Sequence, residues 1–168
     1  MTIKKRHLIT LLAVTISVFS CKPGGKENNT TKTNGLAGTW RLIEYSNFDT
    51  AIRKWTHPYG EHPRGYFTYT KSGIVNLNIS AEKPLKISSD SVYIKVFTLG
   101  VLLDNGAGYF GTYTIDSVNS IVTHHVKGGS VLDYIGTEQH RQFILKGDTL
   151  LIGDPTFEIG KRVLVREE

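Results

Sequence analysis

The sequence predicts an all-β domain: an antiparallel meander of about eight strands, with one short helix. Three observations predict it. After Leu36 the chain breaks into short runs rich in β-branched and aromatic residues. Turn residues (Gly, Asn, Asp) separate these runs at hairpin spacing. A meander of this length must cover or remove its edges, and closure into a barrel does so. A two-sheet sandwich is the competing arrangement.

The chain opens with a targeting segment that stands apart from the fold. Lys4, Lys5 and Arg6 precede an apolar stretch, Leu8 to Phe19, well short of the roughly 20 residues a spanning helix needs. Ser20 and then Cys21, the one cysteine of the 168 residues, end it. "VFSC" resembles the lipobox of bacterial lipoproteins. The resemblance implies a signal peptide over residues 1–20 and a mature N-terminus at Cys21, its thiol acylated with palmitate-class chains. Lipidation accounts for both the number and the place of the cysteine, since a lone thiol elsewhere in an exported protein would stay unpaired. Acyl chains contribute about 0.8 kcal/mol per buried methylene, so several of them hold a protein on a membrane durably. The expected location is the bacterial cell envelope, at the outer membrane.

Loss of Lys4, Lys5 and Arg6 takes the formal charge from +5 to +2. No arginine-rich stripe or lysine run remains, which argues against nucleic acid as a partner. Residues 21–35 ("CKPGGKENNTTKTNG") are polar and aperiodic, and read as a flexible tether. Residues 36–168 suit a single domain with one core, expected as a monomer.

Within the domain, "GTWRLIEYS" (Gly38 to Ser46) reads as the first strand, and Asn47 to Pro63 as a long aromatic-containing loop. "RGYFTYT" and "IVNLNIS" flank Lys71-Ser72-Gly73 as a hairpin. In the second arm Val75, Leu77 and Ile79 share one face, and Asn76 and Asn78 the other. Val92, Val96, Leu99 and Leu103 recur at helical spacing, which predicts a helix over Ser91–Asn105, although "VYIKVF" is also strand-like. "GYFGTYTID" and "SIVTHHV" form a second hairpin around Ser117-Val118-Asn119, and "HRQFILK" and "TLLIG" a third around Gly147-Asp148. "KRVLVRE" closes the chain as the eighth strand.

Five blocks carry a family resemblance: "GTWRL", "PYGEHPRGYFTYTKSG", "YFGTYTI", "VTHHV" and "GTEQHRQFILKGDTLLI". Their order resembles that of the bacterial lipocalin-like domain family over most of residues 36–168. The resemblance implies an up-and-down β-barrel with a ligand-sized interior, closed at one end near the first strand. It gives structural roles to Gly38, to Trp40 as a plug of the closed end, and to Arg166 lying across that tryptophan, with Arg162 as second candidate. Physical reasons lie beneath it: Gly38 permits a tight turn, and an arginine over an indole contributes ~0.5–2 kcal/mol.

His124 and His125 are adjacent in a strand and must point to opposite faces. Val122 and Val126 accompany His124, so it is expected inward, either as a buried neutral imidazole satisfied by hydrogen bonds or as a ligand-facing group. Arg141 shares a face with Phe143 and Leu145. Inside a barrel it needs a carboxylate partner or a bound anion. Glu138 is near in sequence. Tyr66, Tyr113 and Asn76, with Asn78, Tyr69 and Tyr109, are further candidates for polar points in an apolar pocket. No metal site is expected, since the histidines lack ligand spacing. No cofactor is expected and no catalytic residue is assigned, because nucleophile elbows and phosphate loops are missing from the pattern.

These features support a membrane-anchored binding module for a small apolar or amphipathic molecule. Two alternatives remain at this level. One is an isomerase- or cyclase-type enzyme using His124 and Arg141. The other is a structural envelope lipoprotein without a ligand.

Overall fold

A computed structural model describes residues 35–85 and 103–167. Nine strands occur among them: β1 (Gly38–Asp49), β2 (Lys54–Thr56), β3 (Arg64–Tyr69), β4 (Ile74–Ser80), β5 (Gly106–Asp116), β6 (Ile121–Gly129), β7 (Glu138–Lys146), β8 (Thr149–Gly153) and β9 (Gly160–Arg166). Every strand from β3 to β8 pairs antiparallel with its successor, β1 pairs with β3, and β9 returns to pair with β1. Eight strands thus close into an up-and-down barrel, and the edges of the meander disappear. The sandwich alternative is excluded by the β1–β9 pairing.

β2 is the strand beyond the expected eight. It covers the end of β1, pairing Asn47–Asp49 with Lys54–Thr56 across a turn in which Asp49 Oδ1 accepts the N–H groups of Ala51 and Ile52. A single 3-10 turn, Leu132–Tyr134, lies between β6 and β7. The helix expected over Ser91–Asn105 lies outside the described residues except for Leu103 to Asn105, which are helical.

Strict alternation builds the wall. On β4 Val75, Leu77 and Ile79 are buried while Ile74, Asn76 and Asn78 are exposed. Two register shifts interrupt the pattern elsewhere. On β1 one shift falls between Leu42 and Glu44, so Ile43 is an extra residue opposite β9. A bulge changes the phase of the strand, and Tyr45 rather than Glu44 continues the inward row begun by Trp40 and Leu42. The other shift falls at Phe110/Gly111, where Lys127 is extra on β6. Gly111 packs there so close to the carbonyl of His125 that no Cβ would fit.

The core fills the half of the barrel around the start of β1. Leu36, Trp40, Leu42, Tyr69, Val75, Tyr113, Val122, Leu150 and Leu164 are buried there. Trp40 is wholly buried, and its Nε1–H donates to the Leu36 carbonyl at 2.8 Å. Arg166 pairs with Trp40 in register, and its guanidinium lies 4.1 Å over the indole. It donates to the carbonyls of Ala37 and Gly35. Gly35 and Ala37, where the described chain begins, are thereby tied to the end of β9.

Candidate ligand-binding site

The other half of the barrel is not filled. A partly open cavity of about 60 Å³ remains there. Phe67 and Leu77, Ile79 and Ile152 form its apolar side, brought together by the inward alternation of β3, β4 and β8. Its polar side is made by Tyr45, Tyr109, His124, Tyr134, Arg141, Asp154 and Arg162.

His124 stands at the inner boundary between core and cavity. It is 1% exposed, and both ring nitrogens are engaged. Tyr69 Oη lies 3.0 Å from Nε2, and Tyr109 Oη lies 2.7 Å from Nδ1. A neutral imidazole has one N–H and one acceptor nitrogen, so one tyrosine accepts from the ring and the other donates to it. Burial pushes the His124 pKa down to about 3, with the nearby Arg141 charge and His125 acting in the same direction. Burial likewise raises Tyr69 and Tyr109, so the three groups form an uncharged, hydrogen-bonded chain.

His125 takes the opposite face. Its ring meets Thr114 Oγ1 at 3.2 Å and Glu138 Oε1 at 3.1 Å on the outer wall. Glu138, near Arg141 in sequence, is thus occupied with a histidine outside the barrel.

Arg141 projects inward from β7 and is 7% exposed. It donates to Gln139 Oε1 at 2.9 Å and to the His140 carbonyl at 3.1 Å, and meets Asp154 Oδ1 at 3.2 Å. Arg162 projects inward from β9 and is 3% exposed. It lies 3.5 Å over the Tyr45 ring, donates to the Ser46 carbonyl at 2.9 Å, and pairs with the second oxygen of the same aspartate. Two buried guanidiniums therefore share one carboxylate. Asp154 comes from the connection after β8, and its side chain is a quarter exposed.

Of the residues predicted for the interior, His124 and Arg141 line the cavity together. Tyr113 is buried but lies in the closed half, edge-on to Tyr69, where its hydroxyl donates to the Thr70 carbonyl at 2.8 Å. Tyr66 and Asn76 are corrected: both stand on the outer wall, because Phe67 and Tyr69 on β3, and Val75, Leu77 and Ile79 on β4, hold the inward positions. The sequence reading missed Tyr45, Tyr134 and Asp154 as site residues and placed Arg162 only as a substitute for Arg166. A signal existed for Arg162, since residues 162, 164 and 166 share one face of β9. None existed for Asp154, which lies outside any periodic run. Among the described residues, no three His, Cys, Asp or Glu side chains gather as metal ligands.

No curated protein matches the sequence. A solved structure of a point mutant of the fluorescent protein UnaG is 14% identical, covering 79% of this chain and 96% of its own, with a TM-score of 0.32. A family model described as the lipocalin-like domain matches residues 37–161, which spans the barrel from the start of β1 into β9. This chain belongs to the lipocalin-like domain family.

Proposed function

We propose that this chain is a lipid-anchored binding protein of the bacterial cell envelope whose barrel holds a small amphipathic molecule. The observation that carries the reading is the two-sided cavity: aliphatic and aromatic side chains on one side, arginine and tyrosine groups on the other. Pockets of this composition hold the apolar body of a ligand and fix its polar end. An engineered apolar cavity of about 150 Å³ accepts benzene, so about 60 Å³ suits a polar head group alone, and the apolar body extends toward the open end.

The anchoring part rests on the sequence. The basic leader, the short apolar stretch and Cys21 support acylation at that residue, and the polar segment 21–35 ends at Gly35, whose carbonyl Arg166 holds beside the start of β1. A barrel tethered there keeps the cavity end free of its own anchor. The outer membrane is the location this reading assigns, with a monomer as the working unit.

The enzyme reading draws on the convergence of His124 and Arg141 in one cavity. A general base works best with a pKa near the operating pH. His124, with a pKa of about 3 and both nitrogens engaged, is a weak proton acceptor at neutral pH. Its geometry suits holding Tyr109 at the cavity wall, and binding is the better-supported role.

Mass spectrometry of protein extracted from the native envelope tests both parts. The expected species starts at an acylated Cys21 and carries a small organic molecule. A full-length chain with an unmodified thiol would remove the anchor. Absence of any bound molecule, together with no uptake of an apolar fluorescent probe, would remove the binding role.

A further inference from the structure

We infer that the ligand's polar end is an anion of the carboxylate class, held between Arg141 and Arg162. This deepens the binding reading and rests on it. Both guanidiniums are buried, come from different strands, and face the same cavity. Among the described residues that line it, Asp154 supplies the one carboxylate. The phenols of Tyr45 and Tyr109 and the imidazole of His124 are uncharged there. The described lining therefore carries one positive charge more than it neutralises.

A surplus charge in a secluded, low-dielectric space is unfavourable until an opposite charge joins it. Of the five N–H groups on each guanidinium, the described residues accept three from Arg141 and three from Arg162. Asp154 displays the geometry the site accepts. One of its oxygens goes to each arginine, so a planar two-oxygen anion bridges the fork. Guanidinium groups match that shape better than any other side chain does. The cavity's volume of about 60 Å³ agrees with a carboxylate group, its hydrocarbon extending toward the open end. In this arrangement Asp154 acts as an internal counterion that competes with the ligand for the same two groups.

Hexanoate and hexanamide are a matched pair of probes with nearly the same shape, one charged and one neutral. Titrated into the full chain and followed by amide NMR shifts, hexanoate is expected to bind at least tenfold more tightly. Arg141→Gln and Arg162→Gln should each bring that ratio toward one. An arginine variant can fail to fold, so Asp154→Asn carries the decision independently. Removing the competitor should tighten hexanoate severalfold and leave hexanamide unchanged. A merely structural arginine pair would not produce that selective gain. Equal binding of the two probes, or no gain for hexanoate in Asp154→Asn, overturns the anion assignment and leaves the barrel's binding role standing. If neither hexanoate nor hexanamide binds while the apolar fluorescent probe does, the anion assignment falls and the binding role stands; if the fluorescent probe also fails and no molecule is carried from the envelope, both fall.

Discussion

Arg162 and Arg166 lie four residues apart on one face of β9, and each stacks on an aromatic ring of β1. Their situations differ. Arg166, over Trp40, keeps a side chain about a quarter exposed and spends its donors on the carbonyls of Gly35 and Ala37. Its charge stays within reach of water, and its work is to tie the incoming chain to the closing strand. Arg162, over Tyr45, is buried and shares Asp154 with Arg141. One end of the barrel uses a cation as a clasp, while the other gathers two cations around one anion. The same side chain on the same strand serves packing where water solvates it and, in the proposed binding role, anion recognition where it is buried.

The comparison breaks first at the closed end. Trp40→Ala removes a wholly buried indole and its hydrogen bond to Leu36. Loss of a core tryptophan costs about 3–5 kcal/mol. Denaturant unfolding should show a loss of that size. A loss below about 1 kcal/mol would mean that the plug is not what stabilises this half.

The clasp was legible before the structure, and the recognition end only partly so. The family resemblance placed an arginine of the last strand over Trp40, where the Arg166 guanidinium lies, and "IVNLNIS" announced its inward row through alternation alone. His124 followed from the apolar company of Val122 and Val126. What stayed hidden has physical causes. An extra residue at Ile43 rephases β1, so a simple period of two turns Glu44 inward when Tyr45 is the residue that goes in. β2 is three largely exposed residues held by the overhang of β1, too short for a pattern. Asp154 meets its two arginines through tertiary closure, across sequence distances that no local rule spans.

A smaller effect separates the two halves at their boundary. His124 has a pKa of about 3 in the folded protein, against an ordinary value near 6.5 when unfolded. Between these values the unfolded chain binds the extra proton, so stability rises with pH through this window. The contribution is fully present above about pH 6.5 and is lost progressively as pH falls toward 3. One proton corresponds to at most about 1.4 kcal/mol per pH unit. His124→Phe abolishes this slope, although it also leaves the Tyr69 and Tyr109 hydroxyls without their partner. Denaturation midpoints of both proteins from pH 7 to 4 should therefore differ in slope as well as in level. Parallel slopes would show that the imidazole is not buried neutral.

The smallest expected effect is also the sharpest test of the clasp. Arg166→Lys keeps the positive charge but loses the planar group that covers the indole and reaches two carbonyls at once. The cation–π contact is worth about 0.5–1 kcal/mol at a site this exposed. Unfolding experiments should register a loss of that order, while the preference for hexanoate over hexanamide stays as in the parent chain. Residue 166 faces the filled half, and Trp40, Leu42 and Leu164 stand between it and the cavity. A change in anion preference on this substitution would mean that the two ends of the barrel act as one electrostatic unit, and the division of labour between the two arginines would fail.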